Sequence, residues 1–246
     1  MIKKISALFT TYNRAEYLQK SLDALLIQSF PNECFEVIII DDGSTDNTYQ
    51  ICNSYKDKFD LTYVFHKNAG ISVSKNRALK LASGEIVIFM DDDDVPDHRL
   101  LEEHWISHQE NAGENIAILG HTNIDEKIAK NPLMHFVTQV GFQLFCYPLI
   151  KESDFHNYTY FWGGRSSCKL SFLVKNNCYF NKIFKFGCED IELGYRLSKY
   201  NLKVIYNKKA ISTMIREISL GDFCKRTENQ GYSNWIFSRI HQEKEI

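Results

Sequence analysis

Four consecutive aspartates, Asp91-Asp92-Asp93-Asp94, are the residues of this chain hardest to explain as ordinary turn formers. Held at one point they repel one another and resist desolvation, so the run calls for a cation. A hard divalent ion such as Mn2+ or Mg2+ prefers carboxylate oxygens and is commonly shared between one or two carboxylates and a substrate's phosphates. Neither G-x-x-x-x-G-K-[ST] nor G-x-G-x-x-G is present to cradle phosphates, which leaves a metal bridge as the obvious device. Other polar clusters are Thr10-Thr11-Tyr12-Asn13-Arg14, Asp41-Asp42-Gly43-Ser44-Thr45-Asp46 and the acidic helix start Gly187-Cys188-Glu189-Asp190. Each has a plain structural account by itself: turn formation, capping by Asp46, or carboxylates complementing a helix dipole. Phe161-Trp162-Gly163-Gly164-Arg165 suits a sugar face beside closely approaching backbone, and equally a turn packed on the core.

These clusters need elements to position them. Short β-branched runs over 5–10, 35–40, 61–65, 85–90 and 116–119 read as strands, separated by amphipathic stretches over 16–28, 47–58, 72–82 and 97–111 that read as helices. Val37-Ile38-Ile39-Ile40 and Ile86-Val87-Ile88-Phe89 are apolar on both faces, as central parallel strands covered by helices must be. The expected fold is α/β, a mainly parallel open sheet with helices on both faces. Ligands of such sheets bind outside the carboxyl ends of the strands, where the first, second and aspartate clusters fall. Beyond about residue 121 the alternation fades into an aromatic-rich region, then resumes as a helix over 189–200, a strand near Val204 and a long C-terminal helix. Lacking an obvious linker, the chain reads as one domain, with a first half over 1–120, a second over 121–215 and a helical extension over 216–246.

Composition narrows the partners. With 29 Lys+Arg against 31 Asp+Glu, and a formal net charge of -2, there is no bulk electrostatic case for nucleic acid. Seven cysteines without a C-x-x-C pair, and no signal peptide after Met1, point to a reducing, cytoplasmic setting with the thiols as small hydrophobes. The apolar stretch over 133–150 is interrupted by His135, Thr138, Gln139, Gln143 and Pro148, so it reads as a core or groove-lining segment and not a membrane span. Phe223, Lys225, Arg226, Tyr232, Trp235, Phe237 and Arg239 on the last helix suit either a peripheral contact with the inner face of the cell membrane or packing on the protein.

In order and spacing, T-x-Y-N-R, D-D-G-S-T-D, A-G-I-S-x-x-x-N-R-A, F-M-D-D-D-D and G-x-E-D-I-E-L-G-Y-R-L resemble the family-2 glycosyltransferases of GT-A fold, the group that includes bacterial polysaccharide and lipooligosaccharide transferases. The resemblance runs from the first strand to roughly Leu220. It implies an inverting, metal-dependent transfer from a UDP-sugar to a glycan or lipid-linked saccharide acceptor, with 1–120 the nucleotide-sugar-binding half and 121–215 the acceptor-binding and catalytic-base half. It further implies that Thr10, Tyr12 and Arg14 open the nucleotide pocket, Asp41 reads the uracil and Asp42 lies near the ribose. Lys75, Asn76 and Arg77 fall near the pyrophosphate or base, with Asp92 beside them. Asp91 and Asp93 are the ends of the D-x-D motif, Asp93 the better metal ligand of the two, and Asp94 a donor-sugar contact. Asp190 is the implied catalytic base, Glu189 its support, and Trp162, Gly163, Gly164 and Arg165 the donor-sugar and acceptor wall. Two departures stand out. Met214 falls about where relatives carry a metal-ligating His, with Arg216 nearby to neutralise phosphate instead, and Arg165 replaces a common Asn. The alternative is a GT-A nucleotide- or glycan-binding module that has lost catalysis. A haloacid-dehalogenase-like phosphatase is disfavoured, because its D-x-D-x-[TV] follows the first strand.

Overall fold

The computed structural model describes residues 3–141, 143–152 and 154–242, so positions 243–246 of the expected extension lie outside the described residues. The chain opens as β1 (Ile5–Thr11), α1 (Ala15–Leu25), β2 (Phe35–Asp41), α2 (Thr48–Asn53), β3 (Leu61–Phe65), α3 (Ile71–Leu81) and β4 (Ile86–Asp91). Strands β1 to β4 pair in the order β3-β2-β1-β4, all parallel. The chain runs outward from β1 to β3 and then returns to β1's other side, so a topological switch point lies between β1 and β4.

Alternate residues of these strands feed two cores. Leu8, Ile38, Ile40, Val87 and Phe89 pack on one face with Ala78 and Leu79 of α3, while Ala7, Phe9, Val37, Ile39, Ile86 and Ile88 pack on the other with Leu18 and Leu22 of α1. Burying each large aliphatic side chain contributes ~1.5–3 kcal/mol, which is why the middles of these strands are apolar and polar residues such as Ser6, Glu36, Asp41 and Asp91 fall near their ends. The expected two-faced helical cover is therefore present.

The chain continues through β5 (Asp94–Pro96), α4 (Leu100–Glu110), β6 (Ile116–Ile124), α5 (Glu126–Ala129), α6 (Pro132–His135), β7 (Phe155–His156), β8 (Ser166–Lys169), α7 (Leu170–Lys175), α8 (Glu189–Ser198), β9 (Lys203–Met214) and α9 (Leu220–Ile240). Among the described residues these strands extend the sheet to nine, in the order β4-β8-β6-β9-β5 with β7 on β9. Here the pairing is mixed: β8 is antiparallel to both β4 and β6, and β5 to β9. Strands of two to four residues, such as β5, β7 and β8, are too short to show an alternation in sequence. β6 runs five residues past its expected end at Leu119, through a register shift between Leu119 and His121.

The 133–150 stretch packs into the protein. Met134, Phe145, Tyr147 and Ile150 are buried in the first core, and Val137 is buried as well. Among the described residues no helix is long and apolar enough to cross a membrane. All seven cysteines are free; Cys52, Cys168 and Cys178 are buried and Cys224 is exposed.

Candidate active site

The crevice at the switch point is built from the ends of β1 and β4. Thr10 stands in register with Asp91, and Thr11 with Asp41. The Thr11 hydroxyl donates to Asp92 at 2.8 Å, and Arg14, just beyond β1, donates to Asp92 at 2.8 Å and to Asp93 at 3.4 Å. Thr10, Tyr12, Arg14, Asp42, Asp91 and Asp93 line a cleft of about 420 Å³. A smaller cavity of about 70 Å³ shares Asp91, Asp93, Arg216 and Arg226 with it and adds Asp94, Arg165 and Met214.

The aspartates of the β2 turn serve the backbone. Asp41 Oδ1 accepts the N–H groups of Gly43 at 3.1 Å and Ser44 at 2.7 Å, while Oδ2 accepts the Tyr63 hydroxyl at 2.7 Å. Asp42 accepts the N–H groups of Ala69 at 2.7 Å and Gly70 at 3.0 Å, holding the loop before α3 against the cleft. Asp46 accepts from Ala15 at the start of α1 and from Thr48 at the start of α2. Asp41 is buried and is not among the residues lining the cleft. Asn76 is likewise turned inward, its amide exchanging two hydrogen bonds with the backbone of Phe180 at 2.7 and 2.8 Å. Arg77 is exposed.

The aspartate run draws cations instead. Arg165 donates to Asp91 at 3.2 Å and to Asp94 at 3.0 Å, and Arg216 bonds Asp93 through its Nε. Burial opposes ionisation of Asp91, but Arg165, Lys75 and Arg226 outweigh it and hold the carboxyl below its usual range. Burial wins at Asp92 and Asp94: it pushes Asp92 up to about 6 and Asp94 up to about 7, against the pull of Arg14 and Arg165 respectively. Asp94 Oδ1 is buried and has no hydrogen-bond partner among the described residues, which suits a carboxyl that keeps its proton near neutrality.

Because β8 runs antiparallel to β4, the segment that precedes it arrives at the carboxyl end of β4. That brings Gly163, Gly164 and Arg165 against the aspartates. A Cβ on Gly164 would overlap the Asp91 carboxylate, and one on Gly163 would stand 2.6 Å from Lys75 Nζ and 2.9 Å from Asp190 Cβ. The paired glycines thus let the backbone pass between two charged clusters. Gly163 N–H donates to Asp190 Oδ2 at 2.7 Å, and Ile191 N–H donates to Oδ1 at 2.8 Å. Lys75 of α3 forms a buried ion pair with Glu189 at 2.9 Å. Burial, then the neighbouring Glu189, raises the Asp190 carboxyl above its usual range, despite Lys75 and the two N–H donors. Trp162 leaves the site edge-on to Tyr147, with ring centroids 5.4 Å apart, and donates to the Thr159 carbonyl at 2.8 Å.

Among the described residues no group of three or more His, Cys, Asp or Glu forms a ready metal cage. Met214 is buried in register with Asp94 and offers only a thioether. Four carboxylates line the cleft, Asp42, Asp91, Asp92 and Asp93, of which Asp91 and Asp93 also line the smaller cavity. That donor set fits a Mn2+ or Mg2+ completed by substrate phosphates, and does not fit an ion held by the protein alone.

Residues 6–173 match the family described as Glycosyl transferase family 2. The chain belongs to that family. It is 27% identical over 228 residues to validoxylamine A glucosyltransferase of Streptomyces hygroscopicus subsp. jinggangensis, covering 84% of this chain and 54% of that one. To the poly(ribitol-phosphate) beta-N-acetylglucosaminyltransferase TarS of Staphylococcus aureus it is 38% identical over 102 residues, covering 41% of this chain and 18% of that one. The chain therefore spans about half the length, or less, of these curated relatives. Its fold is that of the GT-A glycosyltransferases. The structure of S. aureus TarS 1-349 in complex with UDP-GlcNAc superposes with a TM-score of 0.70 at 20% identity, covering 96% of this chain and 71% of that one. The mannosyltransferase PcManGT from Pyrobaculum calidifontis, in complex with GDP-Man and Mn2+, superposes with a TM-score of 0.66 at 17% identity, covering 96% and 65%.

Of the seven α9 residues expected to share one membrane-facing or packing face, Phe237 is buried in a small core with Tyr195, Phe223 packs on the first core, and Arg226 lines the cleft. Lys225, Tyr232, Trp235 and Arg239 remain exposed. Lys185 and Phe186, which also line the cleft, carry no motif that would have pointed to them.

Proposed function

We propose that this chain transfers a sugar, with inversion, from a UDP-sugar to a hydroxyl of a glycan or lipid-linked acceptor. The observation that carries the reading is the pair Gly163–Gly164, whose backbone lies against Asp190 on one side and Asp91 on the other. A candidate base and a candidate diphosphate site are thereby held about one residue apart. That is the arrangement a single displacement needs.

In this reading the nucleoside lies along Thr10, Tyr12 and Asp42. Asp41, buried and with three acceptor sites of about four filled, shapes the turn that carries Asp42 to the cleft. Asp91 and Asp93 would hold Mn2+ or Mg2+, which supplies Lewis-acid stabilisation of the departing diphosphate when bound. Arg14 and Arg216 orient Asp93, and Arg165 orients Asp91 and Asp94 beside the donor sugar. Asp190 takes the acceptor hydroxyl's proton as that oxygen bonds to the anomeric carbon and the bond to the diphosphate breaks. Its raised proton affinity favours that task, and Gly163 N–H fixes the oxygen that does not move the proton. Glu189 and Lys75 keep the base's neighbourhood charged and dry, while Trp162 and the aromatic cluster around Tyr147 wall the acceptor side.

The test is release of UDP from a panel of UDP-sugars with saccharide acceptors and Mn2+ or Mg2+. Asp190→Asn is expected to lower transfer about 10²- to 10⁴-fold, the usual contribution of a general base, with UDP binding retained. Unchanged turnover in that variant would refute the base assignment. The engagement of Asp93 by Arg216, with Met214 nearby, favours a second reading: a module that binds the nucleotide sugar without transferring it. It predicts UDP-sugar binding with no UDP release above background for any acceptor.

A further inference from the structure

The last helix supplies a residue to the cleft that none of the motifs accounts for. Arg226 of α9 lines both the main cleft and the smaller cavity beside Asp91 and Asp93. Its Nε is buried and has no hydrogen-bond partner among the described residues. The guanidinium rests on the Phe186 ring, 5.5 Å from the centroid. Burial pulls its proton affinity down; Asp91 and Asp190 act in the opposite direction, and Arg165 and Arg216 press the same way as burial.

The nearby carboxylates are already engaged. Asp91 accepts from Arg165, Asp93 from Arg216 and Arg14, and Asp190 from two backbone N–H groups. A half-buried arginine whose buried Nε is unpaired, crowded by two more arginines, is an unfavourable arrangement unless an anion arrives to share them. Planar guanidinium donors suit phosphate oxygens in particular.

The helix that carries Arg226 is anchored to the segment preceding the candidate base. Ser233 donates to the Phe186 carbonyl at 2.8 Å, Cys188 Sγ to Asn234 Oδ1 at 2.9 Å, and His241 lies 3.0 Å from Glu192 of α8. Cys188 itself adopts a left-handed conformation, with φ 61°, immediately before Glu189. Movement of α9 would therefore be felt at the start of α8.

We infer that Arg226 is a diphosphate-binding residue, through which α9 closes the nucleotide-sugar site against the ends of β4 and β9. This rests on the proposed UDP-sugar reading, and the two are separable by experiment. Titration calorimetry with UDP and with uridine, in the presence of Mg2+, is made on the wild type, Arg226→Ala, Arg226→Lys and the exposed-residue control Arg239→Ala. The expected result is a loss of UDP affinity of about 10- to 100-fold in Arg226→Ala, the range for a hydrogen bond between charged groups, with uridine unaffected. Arg226→Lys is expected to recover part of the loss, and Arg239→Ala to bind as wild type. Equal UDP affinity in Arg226→Ala overturns the inference, and so does an equal loss for UDP and uridine, which would mark a packing role. Thermal unfolding of Arg226→Ala checks that α9 stays docked; its midpoint is expected to be unchanged or higher, since a buried unpaired donor is removed. Failure of the wild type to bind UDP at all would instead sink the donor assignment.

Discussion

Two sets of aspartates sit at the ends of β2 and β4, the two strands that flank β1, and behave in opposite ways. Asp41, Asp42 and Asp46, after β2, accept mostly from backbone N–H groups and hydroxyls of nearby loops and helix starts. Asp91 to Asp94, after β4, meet Arg14, Arg165 and Arg216, brought from positions far along the chain. A carboxylate satisfied by neutral, local donors is a fastener: its charge shapes a loop and is then spent. A carboxylate matched by a guanidinium from a distant segment can exchange that partner for a ligand. The difference teaches that acidic residues at a sheet edge are not one site by default, and that the source of their partners separates structure from chemistry.

The sharpest way to break this comparison within the chain lies at the second cluster's neighbour, the Lys75–Glu189 pair, both of whose side chains are under 10% exposed. Lys75→Met removes one charge and leaves Glu189 buried beside Asp190. Loss of one partner from a buried pair costs about 3–5 kcal/mol, so a large drop in chemical-denaturation midpoint is expected. A loss below about 1 kcal/mol would mean that the pair is hydrated or replaced, and that the site is less desolvated than its geometry implies.

Next in size is the pH dependence set by Asp94. Its folded carboxyl titrates near 7, well above its ordinary value of 3.8, because burial outweighs Arg165. Between about pH 4 and pH 7 the folded state keeps a proton that the unfolded chain has released. Stability from this group is therefore greatest below that window and falls as pH rises through it. Buried His104 and His108, lowered to about 3 and about 4, act with the opposite sign up to pH 6.5. The wild type alone thus shows a mixed slope, and the useful quantity is the difference from Asp94→Asn. Relative to that variant, the wild type is expected to lose on the order of 2 kcal/mol between pH 5 and pH 8. A flat difference would show that Asp94 stays ionised throughout and that its bonds to Arg165 dominate after all.

The same contrast explains what the amino-acid sequence disclosed. The β1-to-β4 half was legible because parallel strands buried on both faces must be apolar throughout, as Val37 to Ile40 are, and because each is followed by polar turn residues. The second half was not, since β8 reads Ser-Ser-Cys-Lys and β5 is three residues long; neither has a period to detect. The motif residues Asp91, Asp93, Gly163, Gly164 and Asp190 could be named in advance, and their convergence follows from the antiparallel entry of β8. Asn76 and Asp41 could be named too, but not their inward orientation, which depends on Phe180 and Tyr63. Arg226 was visible only as one charge on an amphipathic helix. Which face of α9 docks is decided by Phe237, Ser233 and Asn234 meeting partners some forty residues away, and no local pattern carries that information.

The smallest effect is expected in the fastening set, and it tests that set most directly. Tyr63→Phe deletes the hydroxyl that donates to Asp41 Oδ2 and leaves the two N–H bonds to Oδ1 in place. Tyr63 is only half-buried, so water can replace part of the lost bond, and a stability loss of about 1 kcal/mol is expected. Transfer at saturating donor should be unaffected, because the turn that positions Asp42 keeps its backbone bonds. A fall in turnover comparable to that of Asp190→Asn would erase the distinction between the two sets, since it would mean that the β2 turn and the aspartate run act as a single coupled site.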